Sequence, residues 1–186
     1  IEATTRQTDI AGVALPEQAT SFVGRRAELR SLRALLGEHR LVTVAGPGGI
    51  GKTRLAIQAA WEFRRAFPDG VRFIGFASVR GDHMLAQSVC DAIGLDNRDV
   101  LAQSAEDALI AHLRRKRMLL VIDNCEHVIE GAAALISRIV EVTAGVRVLA
   151  TSREYLSIPG EYVFPLQALS TDGDSAAQEL FADRAE

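Results

Sequence analysis

The sequence predicts an α/β fold: a parallel sheet of about five strands, sandwiched by helices. Two observations carry this expectation. Short and almost wholly apolar runs alternate with longer segments whose apolar residues recur at helical spacing, the pattern of a parallel sheet buried on both faces. One of those runs also ends at a cluster of glycines, Gly46, Gly48, Gly49 and Gly51. The segment after it is helical, which places a tight glycine loop at a strand–helix junction.

Residues 1–19 mix Thr, Gln, Asp, Gly and Pro without a period and read as a flexible leader. Next, Leu29, Leu32, Leu35 and Leu36 share one helical face, with Gly37 as the expected stop. LVTVA (41–45) is a β-rich run entering the glycine cluster. Leu55, Ala59, Phe63 and Phe67 then recur every four residues, an amphipathic helix closed by Pro68-Asp69-Gly70. The alternation continues with a strand over 71–77, a helix over 82–93 ending at Gly94, and a helix over 104–116. Ser104 is the expected N-cap of that last helix, with Asp107 three residues on. RMLLVID (117–123) is a buried strand, 130–142 a helix, and 146–152 and 161–166 further strands. Residues 174–186 begin another helix, read as the truncated start of a helical subdomain over 171–186. The first residue is Ile1 rather than Met, so the sequence reads as a piece of a larger protein.

Composition narrows the function classes. No apolar run reaches the roughly 20 residues needed to cross a bilayer, and no basic, apolar leader resembles a signal peptide. Cys90 and Cys125 are the only cysteines among 186 residues, too few for a disulfide framework, so a cytoplasmic location is expected. A net charge of −3 gives no general attraction to nucleic acid or membrane. Of 21 basic residues only Lys52 and Lys116 are lysines, so a lysine at 52 stands out.

Lys52 closes the pattern G-x-x-x-x-G-K-[ST]: Gly46, Pro47, Gly48, Gly49, Ile50, Gly51, Lys52 and Thr53, with Arg54 next. Glycines let successive backbone N–H groups wrap one phosphate, and the following helix adds the positive end of its dipole. Lys52 is expected to reach the β- and γ-phosphates, and the Thr53 hydroxyl to ligate Mg²⁺. The expected fold is therefore that of a P-loop NTPase. An apolar strand ending in an acid is the natural partner, and LLVID puts Asp123 in that place, facing the metal beside Thr53. Alone, such an aspartate reads equally as a turn cap.

Position 124 is Asn, whose amide cannot take a proton from an attacking water. The nearest carboxylate is Glu126, able to orient water if the turn brings it round. Hydrolysis is therefore expected to be slow. Cys125-Glu126-His127 is a poor zinc site, lacking a second pair of ligands.

Four segments together carry a family resemblance: TSFVGRRAEL (20–29), GPGGIGKTRLA (46–56), LLVIDNCEHV (119–128) and LATSREYLSIPGEYVFPLQALS (149–170). They resemble the NB-ARC-type ATPases of the STAND class, and most of all bacterial regulators joining this module to a helix-turn-helix or cyclase domain. The resemblance implies that Phe22, Val23 and Arg25 line the adenine and ribose. It implies that Arg153, in Thr-Ser-Arg, is a sensor of the γ-phosphate, on a strand between the loop strand and the Asp123 strand. Without the resemblance, Arg25 reads as a helix-start residue pairing with Glu28, and Arg153 as a surface arginine. Two departures stand out: Asn124 replaces the second acid, and the family's later Gly-Leu-Pro segment is absent.

The implied role is an ATP/ADP switch with slow Mg²⁺-dependent hydrolysis, the alternative being a robust P-loop ATPase or kinase. Implied partners are adenine nucleotide and attached domains of the same polypeptide, with nucleotide-dependent self-association left open. No N/T-K-x-D motif supports a GTPase, and no Leu-Ser-Gly-Gly supports a transporter ATPase. Arg114 to Arg117 read as a solvated helix end rather than a nucleic-acid patch, so no direct nucleic-acid binding is expected. His39, His83 and His112 read as surface or satisfied side chains.

Overall fold

Among the described residues the strands and α-helices follow in the order β1 (Gln7–Ile10), β2 (Val13–Pro16), α1 (Arg26–Glu38), β3 (Leu41–Ala45), α2 (Lys52–Phe63), β4 (Val71–Gly75), α3 (Leu85–Ile93), α4 (Ala105–Leu113), β5 (Leu119–Asp123), α5 (Ile129–Val142), β6 (Arg147–Ser152) and β7 (Glu161–Pro165). They come from a computed structural model that describes residues 7–10, 13–16, 24–95 and 104–168. The expected helix over 174–186, and with it the subdomain over 171–186, lies outside the described residues.

The sheet order is β1-β2-β4-β5-β6-β3-β7. Its heart is the expected parallel set of five, β4-β5-β6-β3-β7, with every carboxyl end on one edge. The apolar runs lack alternation because both faces are covered. In β5, Leu119 and Val121 join the apolar cluster under α1 and α2, while Leu120 and Ile122 join the one under α3, α4 and α5. β3 and β6 divide in the same way, Val42 and Leu149 toward one layer and Leu41 and Val148 toward the other. The helix that follows the glycine loop is seated by Leu55, Ala56, Ala59 and Ala60, all fully buried. Three alanines on that face bring the backbone of α2 close to the sheet, and burial of the leucine contributes about 1.5–3 kcal/mol.

Residues 7–10 and 13–16, within the stretch read as a leader, form two strands. β1 and β2 pair antiparallel, and β2 runs parallel beside β4 with Val13 opposite Val71. Leu15 is fully buried, and the Trp61 indole N–H donates to the Pro16 carbonyl at 3.4 Å. Four-residue strands are too short to display a period, and what places them is the open backbone edge of β4. A second difference lies at Gly37, which does not stop α1. The helix runs one residue further and ends at His39, whose backbone is already extended for entry into β3. Elsewhere the punctuation holds. Gly94 closes α3 at φ 73°, and Ser104 caps α4, its Oγ accepting the Asp107 N–H at 3.1 Å.

Candidate nucleotide-binding site

β3 is flanked by β6 and β7, whereas the chain leaving it crosses through α2 to β4 on the far side. This reversal opens a crevice at the carboxyl edge, where ligands of open α/β sheets bind. Residues 46–51 form the loop there. Gly46 has φ 154°, and a Cβ on it would stand 2.7 Å from both Ile50 Cδ1 and the Leu166 carbonyl oxygen. Gly51 sits at φ 92° as the N-cap of α2. No side chain fits at the first position, and an L-residue is strained at the second.

The first intrahelical bond of α2 runs from Leu55 N–H to Gly51 C=O. The N–H groups of Lys52, Thr53 and Arg54 therefore have no carbonyl within the helix. The first turn also carries no acid, so the positive dipole end faces the loop uncompensated. Lys52 is 8% exposed, and its Nζ donates to the carbonyls of Gly46 at 2.7 Å and Pro47 at 2.9 Å. The ammonium thus lies across the loop entrance. Arg54 is half-buried on the same turn.

Thr53 and Asp123, 70 residues apart, meet as expected: Thr53 Oγ1 donates to Asp123 Oδ1 at 2.7 Å. A hydroxyl beside a buried carboxylate is an oxygen donor set that suits Mg²⁺, and the side-chain-free loop beside it suits phosphate. Sequence reasoning missed a third member. Thr151, fully buried on β6, donates its hydroxyl to the same Asp123 oxygen and accepts the Asn124 N–H at 3.1 Å. The signal was the strand register: Ile122 pairs with Ala150, so the next residues of the two strands face one another.

Asn124 has φ 62° and ψ 45°, a left-handed conformation that Asn tolerates better than most residues. It folds the chain into a 3-10 turn over Cys125–His127. Cys125 is buried beneath the turn with its Sγ against the Ile122 carbonyl. Burial, reinforced by the nearby Asp123 and Glu126 charges, pushes its thiol far above the usual range. No cluster of three or more His, Cys, Asp or Glu is placed to hold a metal among the described residues.

The turn brings Glu126 round to Arg153, with Oε1 3.2 Å from Nε. Arg153 follows β6, which lies between β5 and β3 as the resemblance implied. Its guanidinium rests on the loop, Nη2 lying 3.3 Å from where a Cβ on Gly48 would be. Beside it a cavity of about 580 Å³ opens between Pro47, Arg153, Tyr155 and Leu166, within the range of small-molecule sites.

Arg25 is placed differently. It precedes α1 at φ 57° and donates to the carbonyls of Ile50 at 3.0 Å and Gln167 at 2.9 Å. A longer contact, 3.4 Å, reaches Glu28. It ties the loop to the exit of β7, and the contact with Glu28 is the helix-start pairing read from the sequence. Phe22 and Val23 lie outside the described residues.

The NB-ARC domain family matches residues 28–161, most of this fold and all of the loop. The chain belongs to the NB-ARC family. It is 39% identical over 166 residues to an uncharacterised protein of Mycobacterium tuberculosis, covering 89% of this chain and 41% of that protein. A candidate HTH-type transcriptional regulator of the same species is 40% identical over 156 residues, covering 83% of this chain and 17% of that one. The regulatory protein AfsR of Streptomyces griseus is 29% identical, covering 85% and 17%. The chain thus spans less than half the length of these relatives. Among solved structures, a STAND protein with a tetratricopeptide repeat sensor from Pyrococcus horikoshii superposes with a TM-score of 0.61 at 19% identity, covering 84% of this chain and 24% of that one. Cdc6p from Pyrobaculum aerophilum gives 0.58 at 18%, covering 89% and 51%. These two share the P-loop ATPase fold. The chain is an NB-ARC nucleotide-binding module of the kind found in regulators, and no helix among the described residues is long and apolar enough to cross a membrane.

Proposed function

We propose that this NB-ARC domain is an ATP/ADP switch with slow Mg²⁺-dependent hydrolysis, which reports the bound nucleotide to attached domains. The observation that carries this is the convergence of Thr53, Asp123 and Arg153 on one loop from α2, β5 and β6. The loop N–H groups and Lys52 hold the β- and γ-phosphates, while Thr53 and Asp123 hold Mg²⁺, with Thr151 fixing the carboxylate. Bound Mg²⁺ would neutralise charge developing on the phosphates. Arg153 answers to the γ-phosphate, the only part of ATP that ADP lacks. A ligand shifts an equilibrium only through differential affinity for its states, so such a group suits a switch.

Calorimetric titration of the chain with ATP and with ADP, with and without Mg²⁺, is the direct test. Binding of both, tightened by Mg²⁺, is expected. An isotherm flat for both nucleotides would falsify the switch. The reading as a robust ATPase gains support from Glu126, a carboxylate carried to the loop by the turn after Asn124. Steady-state phosphate release separates the two. A turnover far below the median enzyme value of roughly 10 s⁻¹ fits the switch, and one near that median fits the enzyme.

A further inference from the structure

The sensor arginine is long, solvent-exposed and on a loop, yet it is already aimed. Its side chain is 59% exposed, a condition in which a guanidinium samples many rotamers and gives up that freedom on binding. One edge is nonetheless fixed, Nε lying 3.2 Å from Glu126 Oε1. The same group packs against the phosphate loop, where a Cβ on Gly48 would stand 3.3 Å from Nη2, 3.5 Å from Cζ and 3.6 Å from Nε. Glu126 thus engages the guanidinium through Nε while the guanidinium lies against the loop.

The holder is as constrained as the arginine is free. The Glu126 side chain is 11% exposed, folded back by the left-handed Asn124 and by Cys125, buried as the floor of the turn. Its second oxygen, Oε2, is buried with no hydrogen-bond partner among the described residues. A carboxylate retained for stability alone would have both oxygens bonded, because a buried unmade bond is a cost. Among the described residues, this one forms its ion pair with Arg153.

We propose that Glu126 is a positioning residue for the sensor, orienting Arg153 over the phosphate loop and so setting how strongly the domain prefers ATP to ADP. This rests on the nucleotide reading above and adds to it a determinant of selectivity. Asn124 supplies the left-handed bend that brings Glu126 to Arg153.

The test is a double-mutant cycle on the chain: wild type, Glu126→Ala, Arg153→Ala and the double variant, each titrated with Mg²⁺-ATP and Mg²⁺-ADP. A partly buried, charge-assisted contact corresponds to a loss of about 3- to 10-fold in ATP affinity for Glu126→Ala. ADP affinity should stay within about twofold, and the double variant should be no weaker than Arg153→Ala. Glu126→Gln keeps the shape and an acceptor, so a partial rescue of ATP affinity is expected, again only when Arg153 is present. That arm carries the test should the alanine variant fail to fold. Tighter ATP binding in the Glu126 variants would mean that Glu126 competes for Arg153 instead of aiming it, and would overturn the proposal. Losses that add in the double variant, or that fall equally on ADP, would overturn it too. A wild type that binds neither nucleotide removes the nucleotide reading itself, an outcome distinct from each of these.

Discussion

Two arginines touch the phosphate loop from opposite sides, and their surroundings could hardly differ more. The Arg25 side chain is 6% exposed and satisfies two backbone carbonyls, on Ile50 and Gln167. The Arg153 side chain is 59% exposed and held by one carboxylate. Arg25 binds the fold to itself, and losing it removes the donor that joins the loop to the exit of β7. Arg153 binds almost nothing that the fold needs, so it is free to answer to something else. Equal charge beside the same loop therefore produces a clamp in one case and, on the proposed reading, a sensor in the other, and the difference lies in burial and in what accepts the hydrogen bonds.

The comparison presupposes that the loop holds phosphate, so the largest expected effect is on Lys52. Lys52→Ala removes the ammonium that lies across the loop entrance and should weaken ATP and ADP alike by more than about 100-fold, while the circular dichroism spectrum stays that of the wild type. Equal ADP affinities in the two proteins would overturn the loop assignment and leave the two arginines with nothing to share. Next comes the clamp. Arg25→Ala leaves the Ile50 and Gln167 carbonyls without their donor, which costs about 2–3 kcal/mol of stability. For a domain of this size that is a fall in Tm of roughly 5–10 °C. Scanning calorimetry checks it, and an unchanged Tm would show that the clamp is idle.

Arg153→Ala should leave Tm where it is and cost ATP, but not ADP, about tenfold in affinity, the low end for one charge-assisted bond. Parallel losses for both nucleotides in the same titration would place Arg153 with Arg25 as a structural residue and erase the contrast. Smallest is Thr151→Val, which preserves packing but removes a hydroxyl from Asp123 and an acceptor from the Asn124 N–H. The Mg²⁺-dependent gain in ATP affinity should shrink by about threefold. No change in the Mg²⁺ titration would show that Asp123 needs no such support.

What could be read beforehand divides along the line between local and non-local causes. The five parallel strands and the helices between them were legible because burial on both faces writes itself into contiguous sequence. So was the loop, since its glycines, Lys52 and Thr53 lie within eight residues. β1 and β2 were not, because four residues carry no period and what places them is the free edge of β4. Gly37 misled for a related reason: the end of α1 is set by entry into the sheet, not by the residue with the weakest helical preference. Thr151 was hidden in a strand where a threonine needs no further explanation, and only the register with β5 gives it a role. The pairing of Glu126 with Arg153 spans two strands and depends on the handedness of one backbone turn at Asn124.

The strand order also has a consequence for the birth of the site. β3 carries the loop, yet its neighbours are β6 and β7, the last two strands among the described residues. Thr43 pairs with Ala150 on one side and Val163 on the other, so the strand that presents the loop cannot be framed until more than 100 residues beyond it have been made. At a synthesis rate of about 5–20 residues per second, that is a delay of several seconds at least. During it β3 lacks both of its strand neighbours, and contacts so distant in sequence form slowly. A nascent chain therefore carries the complete motif of residues 46–53 long before the strand that presents it is framed on both sides.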